Sequence, residues 1–180
     1  MFLVYIDKLA KLSESHGIIV KLFADDVKEY LQIVNVSDTV MLHGALDLIV
    51  EWASTWQLQL SVSKCNMLTI GHVPLDVKYS VYDTVLPYVT TSRDLGIVIA
   101  QYVSPSIHIS EIAAKAHQRA NCILRTFVPK DINLLKREFI VYLRPIVEYC
   151  SVIWSPSLKK DIELIEKVQR PARTQTHVMQ

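Results

Sequence analysis

Two rhythms of apolar and polar positions alternate along this chain. Phe2, Ile6, Leu9 and Ala10 recur at helical spacing, which predicts a helix over residues 1–12. After Gly17 the period changes. Ile18 to Phe23 is apolar and rich in β-branched residues, Ala24-Asp25-Asp26 interrupts it, and Val27 to Val34 resumes an extended pattern. Strand, acidic turn and strand predict a β-hairpin, although its turn lacks the usual glycine. Helical spacing returns at Met41, Ala45, Leu48, Ile49, Trp52 and Trp56, with Ser37 the expected N-cap and Asp38 in the first turn. Met67 to Ile70, Val77 to Val81 and Leu95 to Ile99 are short strand candidates, the last following a polar Thr90-Thr91-Ser92 stretch.

Beyond about residue 105 the pattern is helical. Ile109, Ile112, Ala116, Ala120, Ile123 and Phe127 form one stripe. Leu135, Phe139, Tyr142, Ile146 and Cys150 form a second, which Pro145 is expected to kink. Ile162, Ile165 and Val168 form a third after Pro156, and the polar tail from Pro171 is expected to fray. The expected class is α+β, with a mixed part over residues 1–103, a helical part over 104–170 and a tail over 171–180.

Composition narrows this picture. Of the 180 residues 51% are hydrophobic and 21% charged, as in a globular chain rather than a disordered one. No apolar run reaches the roughly 18 residues of a membrane-spanning helix, so no membrane partner is expected. The apolar start, Met1 to Ile6, has no basic flank and meets Asp7 at once, unlike a secretory signal. Cys65, Cys122 and Cys150 are odd in number and widely spaced. That favours reduced, half-buried thiols in an intracellular setting over a zinc site.

The net charge of +1 conceals an asymmetry. Residues 1–90 carry six bases against ten acids, a net of −4; residues 91–180 carry thirteen bases against eight acids, a net of +5. Such a split is a hint of a segment that faces nucleic acid, although an imbalance of this size is also common on solvated surfaces.

The most pointed chemistry lies in Phe23-Ala24-Asp25-Asp26. Adjacent carboxylates at a hairpin turn repel each other, and Mg²⁺, which takes hard oxygen ligands and shares them with substrate phosphates, relieves that repulsion. A pattern as short as [FY]-x-D-D arises by chance in roughly a few per cent of such chains, and an acidic turn is ordinarily just solvated. The surroundings give it weight. Tyr5-Ile6-Asp7-Lys8-Leu9, Leu22-Phe23-Ala24-Asp25-Asp26, Trp52 to Leu58, Ser63 to Gly71, Leu95-Gly96-Ile97, Ile112 with Lys115-Ala116, Gln118 to Phe127, Tyr142 to Ser151, Trp154-Ser155-Pro156 and Ile165 to Arg170 follow one another in order. In that order they resemble the palm end and thumb of the reverse transcriptase of non-LTR retrotransposons, of the jockey and LINE-like kind.

The resemblance implies an RNA-directed DNA polymerase, acting with Mg²⁺ on an RNA template and a DNA primer. Asp25 and Asp26 would be the metal-binding pair, with Asp25 the more direct ligand, and Phe23 would lie near the primer end. Lys64 would approach the incoming triphosphate, with a general-acid role toward the pyrophosphate. Lys115, Arg119 and Arg125 would lie along the template–primer backbone. The family's first catalytic aspartate and its template-gripping segment fall outside the matched blocks, so the chain is expected to be inactive alone. Pro171 is expected to end the last helix early. Two other readings stand beside this one: a non-catalytic nucleic-acid-binding remnant, and a decayed retroelement product that folds poorly.

Overall fold

Helices and short strands mix in the chain, which a computed structural model describes over residues 2–71, 77–126 and 132–177. Two units form, Met1–Val89 and Thr90–Gln180. The division expected near residue 103 concerned polymerase subdomains; that between the compact units falls at Val89 and Thr90.

In the first unit, helix α1 (Phe2–Ser15) buries Ile6, Leu9 and Ser13 along one face. Gly17, at φ +80°, ends it in the left-handed conformation, and the Ile18 N–H donates back to the Ser13 carbonyl. Strands β1 (Ile19–Phe23) and β2 (Asp26–Tyr30) form the predicted hairpin. Helix α2 (Val36–Thr55) starts two residues earlier than expected. Its N-cap is Asn35 and not Ser37: the Asn35 side chain accepts from the Asp38 N–H, and the Asp38 carboxylate accepts from the Asn35 N–H at 2.9 Å, a capping box. Ser37 falls inside the helix and donates to the Asn35 side chain.

The inward face of α2 is set by Leu42, Ala45, Leu46 and Ala53, so Met41 stays exposed and Trp56 follows the helix as its C-cap. Leu42, Ala45 and Leu46 close a core with Ile18 and Val20 from the hairpin side and Tyr79, Val81 and Leu86 from the short strands. Each large apolar side chain buried there contributes about 1.5–3 kcal/mol. Those strands are two residues long: β3 (Met67–Leu68), β4 (Ser80–Val81), β5 (Thr84–Val85) and β6 (Tyr88–Val89). β4 pairs antiparallel with β5, and β3 parallel with β6. The expected strands at 67–70 and 77–81 are thus realised only in part.

The second unit opens with the hairpin β7 (Thr91–Asp94) and β8 (Ile97–Ala100). Leu95 and Gly96, expected inside a strand, form its turn at φ +46° and +87°, the double left-handed geometry of a type I′ connection. Ile97, Val98 and Ala100 of β8 are buried, and β8 packs on helix α3 (Ser106–Thr126). α3 carries the predicted stripe. Ala113, Ala116, Ala120 and Ile123 meet Phe139 and Leu143 after it and Val168 from helix α7 (Lys159–His177). Phe127, expected at the end of the stripe, lies outside the described residues.

Pro145 does more than kink a helix. Helix α4 (Ile132–Tyr142) stops, and Pro145 enters the first turn of a separate helix α5 (Arg144–Glu148), where its missing N–H costs nothing. Tyr142 and Cys150, expected on the apolar stripe, are exposed. A one-turn helix α6 (Ser151–Trp154) follows, which the pattern did not predict. α7 continues through Pro171 to His177, against the expected early end and frayed tail. A proline breaks one rung of the helical ladder, and good helix formers such as Ala172, Arg173 and Gln175 carry the backbone past it. Ile162, expected on the inner stripe, is 40% exposed, and buried Asp161 shares the inner face of α7 with Leu164, Ile165 and Val168. Asp161 accepts from the Ser106 hydroxyl at 2.6 Å, which ties the start of α7 to the start of α3.

A buried histidine links β8 to α3. His108 Nδ1 accepts from the Val98 N–H at 3.3 Å, and the ring meets the Trp154 indole edge-on with centroids 5.6 Å apart. An accepting Nδ1 requires a neutral ring protonated at Nε2. Burial pushes the His108 pKa below 6.5; Glu111 opposes this, and Arg93 and Lys115 reinforce it. The unfolded chain therefore takes up the proton more readily than the folded one. The contribution of His108 to stability is present above about pH 6.5 and is lost as the pH falls through the lower, folded value. Thermal unfolding followed from pH 7.5 to 5 should show this loss, and His108→Gln, which keeps an acceptor for Val98 and cannot titrate, should reduce it.

Candidate functional site

The acidic turn is built by strand register. Phe23 and Asp26 are the last paired positions of β1 and β2, so Ala24-Asp25 is a two-residue connection. Ala24 takes φ +53°, a left-handed conformation that costs an L-residue roughly 1–2 kcal/mol and is ordinarily left to glycine. Asp25 stands at the tip, and Asp26 stands on the strand directly opposite Phe23. All three are exposed, Phe23 by 59%. Side chains alternate across the hairpin. Val20, Leu22 and Val27 turn toward the core, and Ile19, Phe23, Asp26 and Tyr30 turn outward.

This turn offers a cation two carboxylates. Among the described residues no His, Cys, Asp or Glu joins them to make a group of three. Mg²⁺ completes an octahedron with water and substrate phosphate, so by donor type two carboxylates amount to at most the protein side of a single magnesium site. It does not fit a two-metal centre, which needs further carboxylates placed to hold both ions.

Lys64 ends a 3₁₀ turn, Val62–Lys64, in the same unit, and is exposed. Among the described residues no ion pair joins it to Asp25 or Asp26. Beside it in sequence, Gln59 to Ser63 line an open groove of about 460 Å³. Cys65 is half-buried, and burial pushes its thiol pKa up, which makes it a poor nucleophile. Cys122 and Cys150 are exposed, against the expectation of burial, and all three thiols are free.

The second unit carries a basic helix face. Lys115, Arg119 and Arg125 are exposed on α3. Lys115 and Arg119 lie one turn apart, and Arg125 falls about 15 Å along the axis from Lys115 at 1.5 Å per residue. Glu111 is the one carboxylate of α3, and Arg93 of β7 pairs with it. Among the described residues no carboxylate pairs with Lys115, Arg119 or Arg125. Their positive charge is left for solvent or an anionic partner.

The structure thus gathers Phe23, Asp25 and Asp26 on one hairpin and Lys115, Arg119 and Arg125 on one helix, in separate units. Sequence reasoning missed Glu29 of β2. It lies on the inward face of the hairpin, opposite Val20, and neither carboxylate oxygen is accessible. The signal was present in the alternation Val27-x-Glu29-x-Leu31, which sets a carboxylate where an apolar residue is due. Compared with family models, curated proteins and solved structures, the chain matches none.

Proposed function

We propose that this chain is the catalytic-hairpin part of the palm and the thumb of a non-LTR retrotransposon reverse transcriptase. The observation that supports this best is the two-residue turn at Asp25. It holds two exposed carboxylates beside an exposed aromatic ring. In this reading Asp25 and Asp26 would be the residues that hold Mg²⁺, which would supply positive charge to offset that of a bound triphosphate. Phe23 offers its face to the terminal base pair of the primer, and stacking on such a ring tolerates any base. Lys64 brings a proton donor toward the leaving pyrophosphate. Two carboxylates alone cannot hold both metals for in-line displacement, so polymerisation requires a third carboxylate from a further segment or partner.

A second reading, nucleic-acid binding without chemistry, is favoured by Lys115, Arg119 and Arg125 of α3, with which no carboxylate pairs among the described residues. Phosphate contacts from lysine and arginine bind with little sequence preference and weaken steeply with salt.

Manganese, a paramagnetic substitute for magnesium, tests the metal role in the full chain. At increasing Mn²⁺ the amide signals of residues 24–27 should broaden before those around Asp83, a single exposed carboxylate at the turn between β4 and β5. Asp25→Asn should abolish the difference. Equal broadening at both turns would contradict the assignment.

A further inference from the structure

Two polar side chains lie on apolar faces that pack together. On α1, Ser13 continues the buried stripe of Ile6 and Leu9 and is itself 0% exposed. On β2, Glu29 continues the inward stripe of Val27 and stands opposite buried Val20. α1 packs against β1, which brings the two faces together. The Ser13 hydroxyl and both Glu29 oxygens are inaccessible, and none has a well-formed hydrogen bond among the described residues. An ionised carboxylate in that position would lack the partners that a buried charge requires. An uncharged carboxyl is far less costly there and has a proton to share with a hydroxyl.

The charged groups on the surrounding elements do not supply the missing partner. Asp7, Lys8, Lys11 and Glu14 of α1 are exposed, and Lys11 pairs with Asp7 at 2.7 Å. Lys21 and Lys28 face each other across the hairpin on its outer side, with Asp26 beyond them. From α2, His43 stacks on Tyr79 with centroids 4.6 Å apart. Burial alone drives the Glu29 pKa above 4.5, and the nearby Ser13 hydroxyl offsets part of that rise.

We infer that Glu29 is a proton-dependent latch between α1 and the hairpin that carries Asp25 and Asp26, closed while its carboxyl is uncharged and loosened when it ionises. The sign follows from linkage. The unfolded or opened chain gives up this proton near pH 4.5, the packed chain only at higher pH. The contribution is therefore complete below about pH 4.5 and is lost as the pH rises through the folded value. This is the reverse of the acid sensitivity expected from His108, so the two units respond oppositely to pH. The inference concerns the hairpin's attachment and stands whether or not Asp25 binds a metal.

Two measurements on the full chain decide it. In ¹³C-glutamate-labelled wild-type protein, the Glu29 carboxyl resonance should titrate with a midpoint above 4.5; a midpoint at or below 4.5 would overturn the inference. Hydrogen-exchange protection of the paired β1 and β2 amides should fall about tenfold per pH unit from 4.5 to that midpoint and then level off, relative to Glu29→Gln at the same pH. Equal protection in both proteins across the range would also overturn it. If Glu29→Gln fails to fold, the wild-type titration and the pH course of wild-type protection decide alone.

Discussion

Replacing Trp154 by alanine should destabilise the second unit by about 3–5 kcal/mol, the cost of truncating a fully enclosed aromatic ring. Trp154 is 3% exposed and closes the core formed by Ile109 and Ile112 of α3, with Leu164 and Ile165 of α7 packed against it. Its indole N–H donates to the Tyr149 carbonyl at 2.7 Å, and its ring meets His108 edge-on. Tyr149 in turn donates its hydroxyl to the Leu95 carbonyl at 2.9 Å and sets its ring beside Gly96, where an added Cβ would come within 3.5 Å. One side chain therefore anchors α6, the β7–β8 turn and the start of α3. Because a domain is typically stable by only about 5–15 kcal/mol, a loss of this size leaves the unit marginal. Urea unfolding followed by far-ultraviolet circular dichroism should show helix lost at lower denaturant. Trp154→Phe should cost less, since it keeps ring burial and loses the hydrogen bond. A shift below about 1 kcal/mol for Trp154→Ala would contradict this account of the core.

The second large effect is on binding. If Lys115, Arg119 and Arg125 contact phosphates, their joint replacement by glutamine should remove about three units from the slope of log affinity against log salt. The three bases span about 15 Å along α3 and about 120° around it, so the full loss of slope requires the partner to wrap this face of the helix. The substitutions lie on an exposed face, so thermal stability should change by no more than about 0.5 kcal/mol per site. That separates loss of binding from loss of fold. A variant that binds as tightly as the wild type, with the same slope, would assign these bases to an ordinary solvated helix face.

Elements with a strong period were legible in the sequence. The α3 stripe is one, because 3.6-residue spacing over some twenty residues has few alternatives; the hairpin is another, because β-branched runs flank an acidic turn. Legibility fell where tertiary contacts decide. The two-residue strands exist only because a partner pairs with them, and Thr91–Asp94 reads as a polar loop until β8 supplies its ladder. Asn35 and Ser37 are both good caps, and only the spacing from Asn35 to Asp38 completes a box. Pro145 and Pro171 look alike in sequence, yet the first sits in an opening turn and the second inside a continuing helix. Of the candidate residues, the placement of Asp25 at a turn followed from local pattern, whereas Asp26, expected in the same turn, opens β2. The roles of Lys64 and of the α3 bases rest on the resemblance, since a lysine in a 3₁₀ turn and a charged helix face have no chemistry legible in spacing.

Equilibrium binding of the full chain to an RNA–DNA hybrid with a recessed primer end, at 50 mM and 200 mM salt, tests the central claim most directly. With about three phosphate contacts, binding should be measurable at 50 mM and weaken by roughly 40-fold at 200 mM. The Lys115, Arg119 and Arg125 variant should lose most of that dependence. No binding to the hybrid at 50 mM salt would contradict the proposal that this chain is part of a nucleic-acid polymerase.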